Sequence, residues 1–442
     1  MADEQSLILE SHVIKKLATY NTLYVGFSGG LDSTVLLHQL TRIAELAKKV
    51  SAVHVHHGLS CNADAWQLQC QTLCDNLDVS LAISRVKINS DDNLEEQARL
   101  ARYQVFESVI GENDCLLLAH HRDDQAETLL LQLVRGTGVD GLAAMPFMRK
   151  LAKGVLIRPF LQLSRAALEA YAQTHHLSWV CDESNQNLRF SRNFIRHSVL
   201  PVLRQKWPNV VNNLTACAHH CQDAKENLEA LAEFDLGIGA SNEFASGILS
   251  LDCLPLTNRA RLINVLRFWL KKNNFQLPHA YIFEKLLDEV IFSRPDAMPC
   301  VTWGDVSIKR YQRKLYALTE KMLHKLNDQI WMNFPSPLKI DYTISLYAAA
   351  SEKHGIMIPP GSRVEVRFRR GGERFQWHGQ TKTLKKLFQQ WGVPPWQRDR
   401  IPLIYVNDCL KVVVGFAISD QEDGVEMHNV YKIENSYAAT TN

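Results

Sequence analysis

The sequence predicts an α/β protein in which a parallel, doubly wound N-terminal domain precedes a mainly helical domain and a small α/β C-terminal domain. Strand-like and helix-like segments alternate over the first 200 residues. The strand-like segments are nearly continuous apolar runs, which are typical of a parallel sheet covered on both faces. After about residue 210, longer helical patterns replace this alternation.

Four strands and four helices are predicted to alternate in the N-terminal region. The strands are expected at residues 23–27, 51–56, 80–88 and 115–119, and the helices at 33–49, 63–77, 94–110 and 123–134. Ligands of open parallel sheets bind at the carboxyl ends of the strands. Polar segments follow the first, second and fourth strands, so we expect these segments to meet at one edge of the sheet.

The predicted domains cover residues 1–210, 211–325 and 346–442, with a linker at 326–345. Helical patterns at 226–234, 259–272 and 279–291 define the second domain, and residues 300–318 alternate like a hairpin. The prolines at 335 and 337 and the scarcity of periodic apolar positions indicate the linker.

The composition excludes several classes of protein. Of the 442 residues 46% are hydrophobic, which suffices for packed cores, and the net charge is only +2, so attraction to a polyanion must be local. The acidic start is unlike a signal peptide, and no apolar run approaches the about 18 residues that span a bilayer, so we expect no membrane partner. Ten scattered cysteines, none spaced C-x-x-C, favour free thiols in a reducing cytoplasm.

The most informative segment is Ser-Gly-Gly-Leu-Asp-Ser at residues 28–33, between the first strand and the first helix. Glycines let backbone N–H groups face an anion, and a helix N-terminus adds partial positive charge. The hydroxyls of Ser28 and Ser33 add donors. Asp32 would repel a phosphate unless a cation lay between them, and Mg²⁺ binds carboxylates together with phosphate oxygens. The segment predicts a phosphate site with Asp32 as magnesium ligand; the alternative is an ordinary polar turn.

A second polar segment, residues 119–128, follows the fourth strand. Asp124 and Glu127 are three residues apart, so they share one face of the predicted helix. Two carboxylates at one point hold either Mg²⁺ or a substrate ammonium group. The structural alternative is a capped helix N-terminus. The location beside the phosphate loop favours the functional interpretation.

Two pairs of arginines have helical spacing. Arg99 and Arg102 share one face of a predicted helix, and so do Arg192 and Arg196. Guanidinium pairs suit phosphate groups. In both cases the alternative is a solvated basic face.

Basic residues concentrate near the C-terminus. Between Arg363 and Arg400 there are ten Lys or Arg and three Asp or Glu, a local charge of +7. Four aromatic residues lie among these charges: Trp377, Phe388, Trp391 and Trp396. Basic groups neutralise phosphates and aromatic rings stack on unpaired bases, so the segment predicts an RNA-binding surface. The alternative is a solvated basic face over an aromatic core.

The first loop resembles that of the PP-loop ATP pyrophosphatases, and the motifs together resemble the bacterial tRNA(Ile)-lysidine synthetases over essentially the whole chain. These motifs are SGGLDS at 28–33, VHHGLS at 55–60, ARxxRY at 98–103, AHHRDDQAET at 119–128, RGTGVDGL at 135–142, IRPF at 157–160, DESN at 182–185, RNFIRH at 192–197 and LKKLFQQWGVPPWQRDRIPL at 384–403. One departure is His56, where many relatives carry an acid.

The resemblance implies an adenine nucleotide α-hydrolase-like fold and an ATP-dependent ligase. Such an enzyme joins free L-lysine to C2 of the wobble cytidine in tRNA(Ile) with a CAU anticodon. Transfer of AMP to the C2 oxygen, with release of pyrophosphate, makes that oxygen a good leaving group. The ε-amine of lysine then attacks C2 and AMP departs. Mg²⁺ is the implied cofactor, and the resemblance is compatible with a homodimer.

The resemblance also implies residue roles. ATP would bind to Ser28, Gly29, Gly30, Leu31, Asp32, Ser33, Arg99 and His120. Asp32, Asp124 and Glu127 would be catalytic, with Asp124 and Glu127 receiving the lysine ammonium groups. The tRNA would bind to Arg192, Arg196, Arg370, Arg374, Lys385 and Lys386.

Two other functions are weighed against this one. A PP-loop enzyme that inserts sulfur into tRNA generally needs paired or catalytic cysteines, and only Cys115 and Cys181 lie near the predicted site. A non-catalytic tRNA-binding protein would tolerate the loss of Ser28, Asp32, Asp124 and Glu127, all of which are present.

Overall fold

The structure is a computed structural model that describes residues 8–58, 60, 62–87, 94–237, 244, 246–294, 296–341, 344–351, 355–420 and 430–437. The chain divides into two compact units, Met1–Leu228 and Glu229–Asn442.

A six-stranded sheet forms the centre of the first unit. Its strands are β1 (Leu23–Gly26), β2 (Val50–His56), β3 (Ser80–Arg85), β4 (Cys115–Leu117), β5 (Met148–Leu151) and β6 (Gly154–Ile157). The spatial order is β3-β2-β1-β4-β6-β5, and every pair is parallel except β5 with β6. Leu23 of β1 aligns with Val50 on one side and Cys115 on the other. This topology confirms the predicted parallel α/β domain.

Helices connect and cover these strands. They are α1 (Ser11–Ala18), α2 (Leu31–Thr41), α3 (Ala44–Ala47), α4 (Ala63–Asn76), α5 (Leu94–Val109), α6 (Arg122–Val134), α7 (Val139–Leu142), α8 (Arg165–Thr174), α9 (Ser191–Phe194) and α10 (Leu200–Lys206). A 3₁₀ turn lies at Glu183–Gln186, and a π-helical turn, Ile195–Val199, joins α9 to α10 without a break.

The core of this unit packs around α2. Leu36, Leu37 and Leu40 are fully buried against Leu23 and Val25 of β1. Burying each such side chain contributes on the order of 2 kcal/mol. Because α2 is buried on nearly all sides, its N-terminus and the loop before it are held rigidly at the carboxyl end of β1.

Most predicted elements of the N-terminal region end within two residues of those observed, and two differ by more. The helix predicted at 33–49 begins two residues earlier and breaks after Thr41, because buried Ile43 adopts an extended conformation that caps α3. The strand predicted at 80–88 ends at Arg85, and residue 88 lies outside the described residues.

A long helix, α11 (Val210–Leu236), contains the division between the units. It extends the helix predicted at 226–234 toward the N-terminus. The second unit continues with β7 (Ile248–Ser250), the 3₁₀ turn Leu251–Cys253, α12 (Arg259–Lys272), α13 (Ala280–Lys285), the π-helical turn Leu286–Ile291, β8 (Cys300–Trp303), β9 (Val306–Tyr311), β10 (Lys314–Thr319) and α14 (Glu320–Leu323). The strands form an antiparallel sheet, β7-β10-β9-β8, packed on α12 with Trp269 at its centre. The alternation predicted at 300–318 is therefore confirmed as strands.

The C-terminal part is built mainly of short antiparallel strands. They are β11 (Gln329–Ile330), β12 (Leu338–Lys339), β13 (Ile344–Ala350), β14 (Ile356–Met357), β15 (Val364–Arg367), β16 (Arg374–Trp377), β17 (Gln380–Thr383), β18 (Leu403–Val406), β19 (Cys409–Val413), β20 (Ala417–Ile418) and β21 (Val430–Tyr437). Two helices, α15 (Leu384–Gln390) and α16 (Pro395–Arg398), complete the predicted combination of helices and strands.

The segment predicted as a linker, residues 326–345, is instead part of the β-rich region. Its β11 pairs with β15 through Gln329 and Val366. Trp331 and Ile340 are buried in the same core as Val366. The linker interpretation was wrong because these isolated apolar residues follow no period yet supply core contacts.

Across the described ranges, no helix has both the length and the apolar character needed to cross a membrane.

A substitution at Gly154 tests how tightly the edge of the parallel sheet is packed. A Cβ at this position would lie 2.4 Å from the Asp114 carbonyl oxygen and 2.7 Å from the Cγ2 of Ile110. Gly154→Ala should therefore lower the free energy of unfolding by about 2 kcal/mol, because overpacking forces the backbone to shift. Thermal unfolding should show the melting temperature falling by about 5 °C.

Gly136→Ala is the matched control. Gly136 has a positive φ, but nothing lies within 4 Å of an added Cβ, so only about 1 kcal/mol of backbone strain is expected. Equal losses of stability in the two variants would contradict the packing argument.

Candidate active site

The loop between β1 and α2 requires a glycine at its first turn. Gly29 has φ +78°, and its carbonyl oxygen accepts a 2.8 Å hydrogen bond from the backbone N–H of Val180. A Cβ on Gly29 would lie 2.7 Å from the Sγ of Cys70 and 3.2 Å from the Cγ2 of Val180. Both the backbone conformation and the close packing therefore exclude a larger residue.

Side-chain hydroxyls fix the rest of this loop. The hydroxyls of Ser28 and Ser33 are 3.1 Å apart, and Ser28 Oγ accepts from the backbone N–H of Gly30 at 3.3 Å. Ser33 Oγ donates to the carbonyl of Gly30 at 3.0 Å. Since α2 begins at Leu31, the first-turn N–H groups lie at this loop. The arrangement suits phosphate oxygens.

Asp32 presents an uncompensated carboxylate oxygen beside the loop. Its Oδ1 is buried and has no hydrogen-bond partner among the described residues. Its Oδ2 lies 3.8 Å from Nε2 of His121. Burial raises the pKa of Asp32, and the nearby charge of Asp124 adds to this effect against the opposing field of His121. An orphaned carboxylate oxygen fits a divalent cation that is shared with phosphate oxygens.

His120 is held as a neutral acceptor. Its Nδ1 is 3.2 Å from the Nε of Arg158, which is a permanent donor. Burial lowers the pKa of His120 to about 3, and the positive charges of Arg158, Arg192 and Arg102 reinforce the shift against Asp124. The remaining nitrogen, Nε2, therefore carries the proton and can donate to a ligand.

The centre of the site is a cluster of two carboxylates and two guanidinium groups. Asp124 Oδ1 accepts from Nη2 of Arg192 at 2.8 Å and from Nη2 of Arg196 at 3.1 Å. Glu127 accepts from Nε of Arg192 at 2.8 Å and from Nε and Nη2 of Arg196 at 2.6 and 2.9 Å. Asp124 and Glu127 are 7% and 1% exposed. The four charges sum to zero, as burial requires.

The positive partners keep Asp124 ionised. Burial opposes its ionisation, but Arg192, His121 and His120 and the backbone N–H of His121 outweigh burial, so its pKa lies well below the ordinary value. Asp124 Oδ2 accepts that N–H at 2.9 Å. The helix-capping interpretation of Asp124 is confirmed, because one oxygen caps α6 while the other accepts from the arginines.

His121 lies between the phosphate loop and this cluster. It is 1% exposed, and its Nε2 is 3.8 Å from Asp32 Oδ2 and 3.5 Å from Asp124 Oδ2. Asp32 of α2 and Asp124 of α6, to which the resemblance gives roles toward ATP and lysine, therefore both lie near one imidazole ring. The structure brings together the loop after β1 and the N-terminus of α6, as predicted.

Arg192 and Arg196 do not form the solvated basic face that was the alternative. Their side chains are 30% and 24% exposed and point at the acids of α6. The sequence placed the acids and the arginines in separate roles. Residue spacing alone contains no sign of the contact, since about 65 residues separate Glu127 from Arg192.

Arg99 shows no contact with the phosphate loop within the described part of the chain. It pairs with Glu96 at 3.4 Å, and its guanidinium lies 5.3 Å from the ring centre of Tyr103. Arg158, which the sequence reasoning did not single out, contacts His120 directly. The IRPF motif that contains Arg158 was the available signal.

The C-terminal basic segment divides into paired and unpaired cations. Six of its ten basic residues bond to other groups: Arg363, Arg367, Arg369, Arg370, Arg398 and Arg400. The other four, Arg374, Lys382, Lys385 and Lys386, have no acidic partner among the residues described. Arg370 pairs with Asp328. The local charge available to a partner is thus concentrated on β16, β17 and α15.

The aromatic residues of this segment largely pack on one another. Phe388 is fully buried, and Trp391 contacts both Phe388 and Trp377 edge to face. Trp396 contacts Tyr311 and Tyr316 of β9 and β10. Most of these rings therefore form the core that was the structural alternative.

Comparisons with known proteins agree with this layout. Residues 5–203 match the family model described as a PP-loop domain. Residues 249–316 match a TilS substrate binding domain, and residues 364–433 match a TilS substrate C-terminal domain.

The chain is similar to curated proteins along most of its length. A tRNA(Ile)-lysidine synthase from Legionella pneumophila (strain Paris) is 47% identical over 414 residues, which are 93% of this chain and 95% of that protein. One from Coxiella burnetii (strain RSA 493 / Nine Mile phase I) is 40% identical over 417 residues, 92% of this chain and 91% of that protein.

Similarity to solved structures is partial. The U34-tRNA thiolase NcsA from Methanococcus maripaludis has a TM-score of 0.40 and 16% identity, and it covers 49% of this chain and 77% of its own. A structure titled as the TilS C-terminal domain has a TM-score of 0.19 and 24% identity, covering 24% of this chain and 93% of its own. The sequence matches carry the assignment and confirm the resemblance inferred from the motifs: the chain belongs to the tRNA(Ile)-lysidine synthase family.

Proposed function

We propose that this chain uses ATP to ligate free L-lysine to C2 of the wobble cytidine in tRNA(Ile) with a CAU anticodon, through an adenylated cytidine. One observation carries the proposal: Asp32 of the phosphate loop and Asp124 of the carboxylate–arginine cluster face the same buried His121 at 3.8 and 3.5 Å. A nucleotide on the loop and an amine at the cluster would therefore be neighbours.

In the adenylation step, residues 28–33 bind the pyrophosphate end of ATP. The first-turn N–H groups of α2 and the hydroxyls of Ser28 and Ser33 donate to phosphate oxygens. Asp32 would hold Mg²⁺, which when bound neutralises phosphate charge and favours departure of pyrophosphate. His120 donates from Nε2 to the nucleotide, because its low pKa leaves it neutral with Nδ1 engaged by Arg158.

In the second step, Asp124 and Glu127 receive an ammonium group of lysine. Each carboxylate already accepts three hydrogen bonds, and a carboxylate has about four acceptor positions, so one position remains on each. The low pKa of Asp124 makes it a poor proton acceptor, so its role is electrostatic. Arg192 and Arg196 pair with both acids and can also contact the lysine carboxylate.

The tRNA would be bound by three cations that have no acidic partner in the described part of the chain, Arg374, Lys385 and Lys386, and by Arg370, which pairs with Asp328. The exposed lysines of α15 can neutralise backbone phosphates without losing an internal partner. Nine described cysteines are free thiols, which agrees with a cytoplasmic location.

The thiols also weigh against sulfur insertion. Burial raises the pKa of Cys70, Cys74 and Cys115 to about 12, so these thiols stay protonated and unreactive near neutral pH. The presence of Asp32, Asp124 and Glu127 weighs against a non-catalytic protein, because such a protein would tolerate the loss of these acids.

Labelled lysine provides the direct test. We expect the protein with ATP, Mg²⁺ and a CAU-anticodon tRNA(Ile) to transfer label into the RNA and to form AMP and pyrophosphate. Asp32→Asn should abolish ATP turnover but change the Kd for tRNA by less than twofold. The pKa of Asp32 is raised in the fold, so a neutral amide should not lower the melting temperature. Label transfer that required a sulfur donor, or ATP turnover retained in Asp32→Asn, would refute these assignments.

Asp124→Asn and Glu127→Gln separate the two chemical steps. Each substitution removes one negative charge with little change of shape. The KM for lysine should therefore rise at least about tenfold, which corresponds to the loss of one charge-assisted hydrogen bond. Pyrophosphate exchange that depends on tRNA should change less than twofold. Asp75→Asn, an exposed acid of α4 that accepts only from Gln71 in the described structure, is the control. An unchanged lysine KM would remove these acids from the lysine site.

The double substitution Lys385→Ala/Lys386→Ala tests the tRNA surface. Each phosphate contact contributes about one unit to the dependence of log K on log salt, so the slope should fall by about two. Arg259→Ala removes an exposed cation that already pairs with Glu284 and Asp288, and it should leave the slope unchanged. A wild-type slope in the double variant would place the lysines outside the interface.

A further inference from the structure

Among the exposed aromatic residues in the described C-terminal region, Phe416 stands out because it lies in a tight turn. Phe416 lies in the three-residue turn between β19 and β20, after Gly415 with φ +80°, and it is 44% exposed. Its N–H donates to the carbonyl of Val413 at 3.0 Å, which fixes the turn. Turn positions are usually small or polar, so an exposed phenyl ring here needs a function or a partner.

The ring is held in place by other aromatic side chains. Phe416 stacks on Trp391 with ring centres 5.4 Å apart and an angle of 21° between planes. Trp391 in turn meets Trp377 edge to face at 5.6 Å. We call Trp377, Trp391 and Phe416 the aromatic platform. Its rings are ordered in advance, so a ligand that stacks on them loses little side-chain entropy.

One cation contacts this platform and two others lie on adjoining elements. Lys382 lies 5.3 Å from the ring centre of Trp377, and Arg374 is on the strand paired with β17. Lys385 precedes Phe388, which contacts Trp391, by about one helical turn. Among the described acids, Asp420 accepts from the backbone N–H groups of His378 and Gly379. Stacking rings with positive charge beside them are complementary to an unpaired nucleotide.

We propose that the aromatic platform binds an unpaired nucleotide in the single-stranded 3′ end of the substrate tRNA, stacked on Phe416. The inference rests on the proposed function. On the proposed function, the anticodon loop is the reacting part of the RNA and belongs at the catalytic domain. The 3′ terminus is single-stranded, and its bases are free to stack on a platform elsewhere on the protein. The lysines and arginine bind the adjoining phosphates.

The test compares two RNAs in the absence of ATP and lysine: the complete tRNA(Ile) transcript and the same transcript without its last four nucleotides. Wild-type protein should bind the shortened RNA about tenfold more weakly, the usual effect of losing one base–aromatic stack. Phe416→Ala should bind the complete RNA about tenfold more weakly and the shortened RNA like wild type. Phe416→Trp should restore the preference for the complete RNA.

Phe292→Ala is the matched control, since Phe292 is 48% exposed and lies in the helical part of the same unit. It should alter neither affinity. Phe416→Leu retains an apolar side chain but has no π face. It should bind both RNAs like Phe416→Ala and should have the melting temperature of the wild-type protein. A loss of binding in this variant is then not caused by misfolding.

Equal loss of both RNAs in Phe416→Ala, or no loss of either, would overturn the proposal. Because these affinities are measured without catalysis, a protein that formed no lysidine would still give a clear result. Failure of the platform and failure of the proposed function are therefore distinguishable.

Discussion

The site depends on one buried interaction, the pairing of Asp124 and Glu127 with Arg192 and Arg196. Without the arginines, two ionised acids inside the protein would be too costly, and without the acids the guanidinium groups would be stranded. The pairing joins α6 to the helical stretch that begins at Ser191, and the charges of these four residues sum to zero. On the proposed function, a cluster with both signs of charge can contact the ammonium and the carboxylate groups of lysine next to the nucleotide.

The fold and the phosphate loop follow from local patterns in the sequence. The apolar run of β1 and the glycine at position 29 can be read from the sequence because the topology itself requires them. A buried parallel strand needs apolar residues, and the turn after it needs a positive φ. Asp32, Asp124 and Glu127 were predicted to meet because parallel strands end at a common edge. The arginine partners were not predicted, since contact between Arg192 and Glu127 depends on tertiary packing across distant segments. The burial of Trp331 and Ile340 was not predicted either, because isolated apolar residues show no periodic pattern in the sequence.

In the C-terminal region, the count of basic residues overstates the positive charge that is available to a binding partner. A local charge of +7 suggested a broad basic field, yet Arg363, Arg367 and Arg370 are neutralised by acids close in space. What remains is a small group of cations beside a partly exposed aromatic stack. If the proposed tRNA surface is correct, its positive charge is concentrated on a limited area, which favours contact with one defined feature of the RNA over general attraction to phosphate.

The π-helical turn at Ile195–Val199 has a consequence for register. In a regular α-helix, residues 192 and 204 would point about 120° apart, because each residue turns the chain by about 100°. One extra residue accommodated in the wide turn reduces this difference to about 20°. Arg192 and Arg204 can then both reach α6, where Arg204 pairs with Asp123. Deleting one residue between 195 and 199 would close the wide turn and keep this phase, because eleven regular steps also leave about 20°. An additional residue there would instead rotate Arg204 by about 100° away from α6, so the segment accepts a shortening more readily than a lengthening.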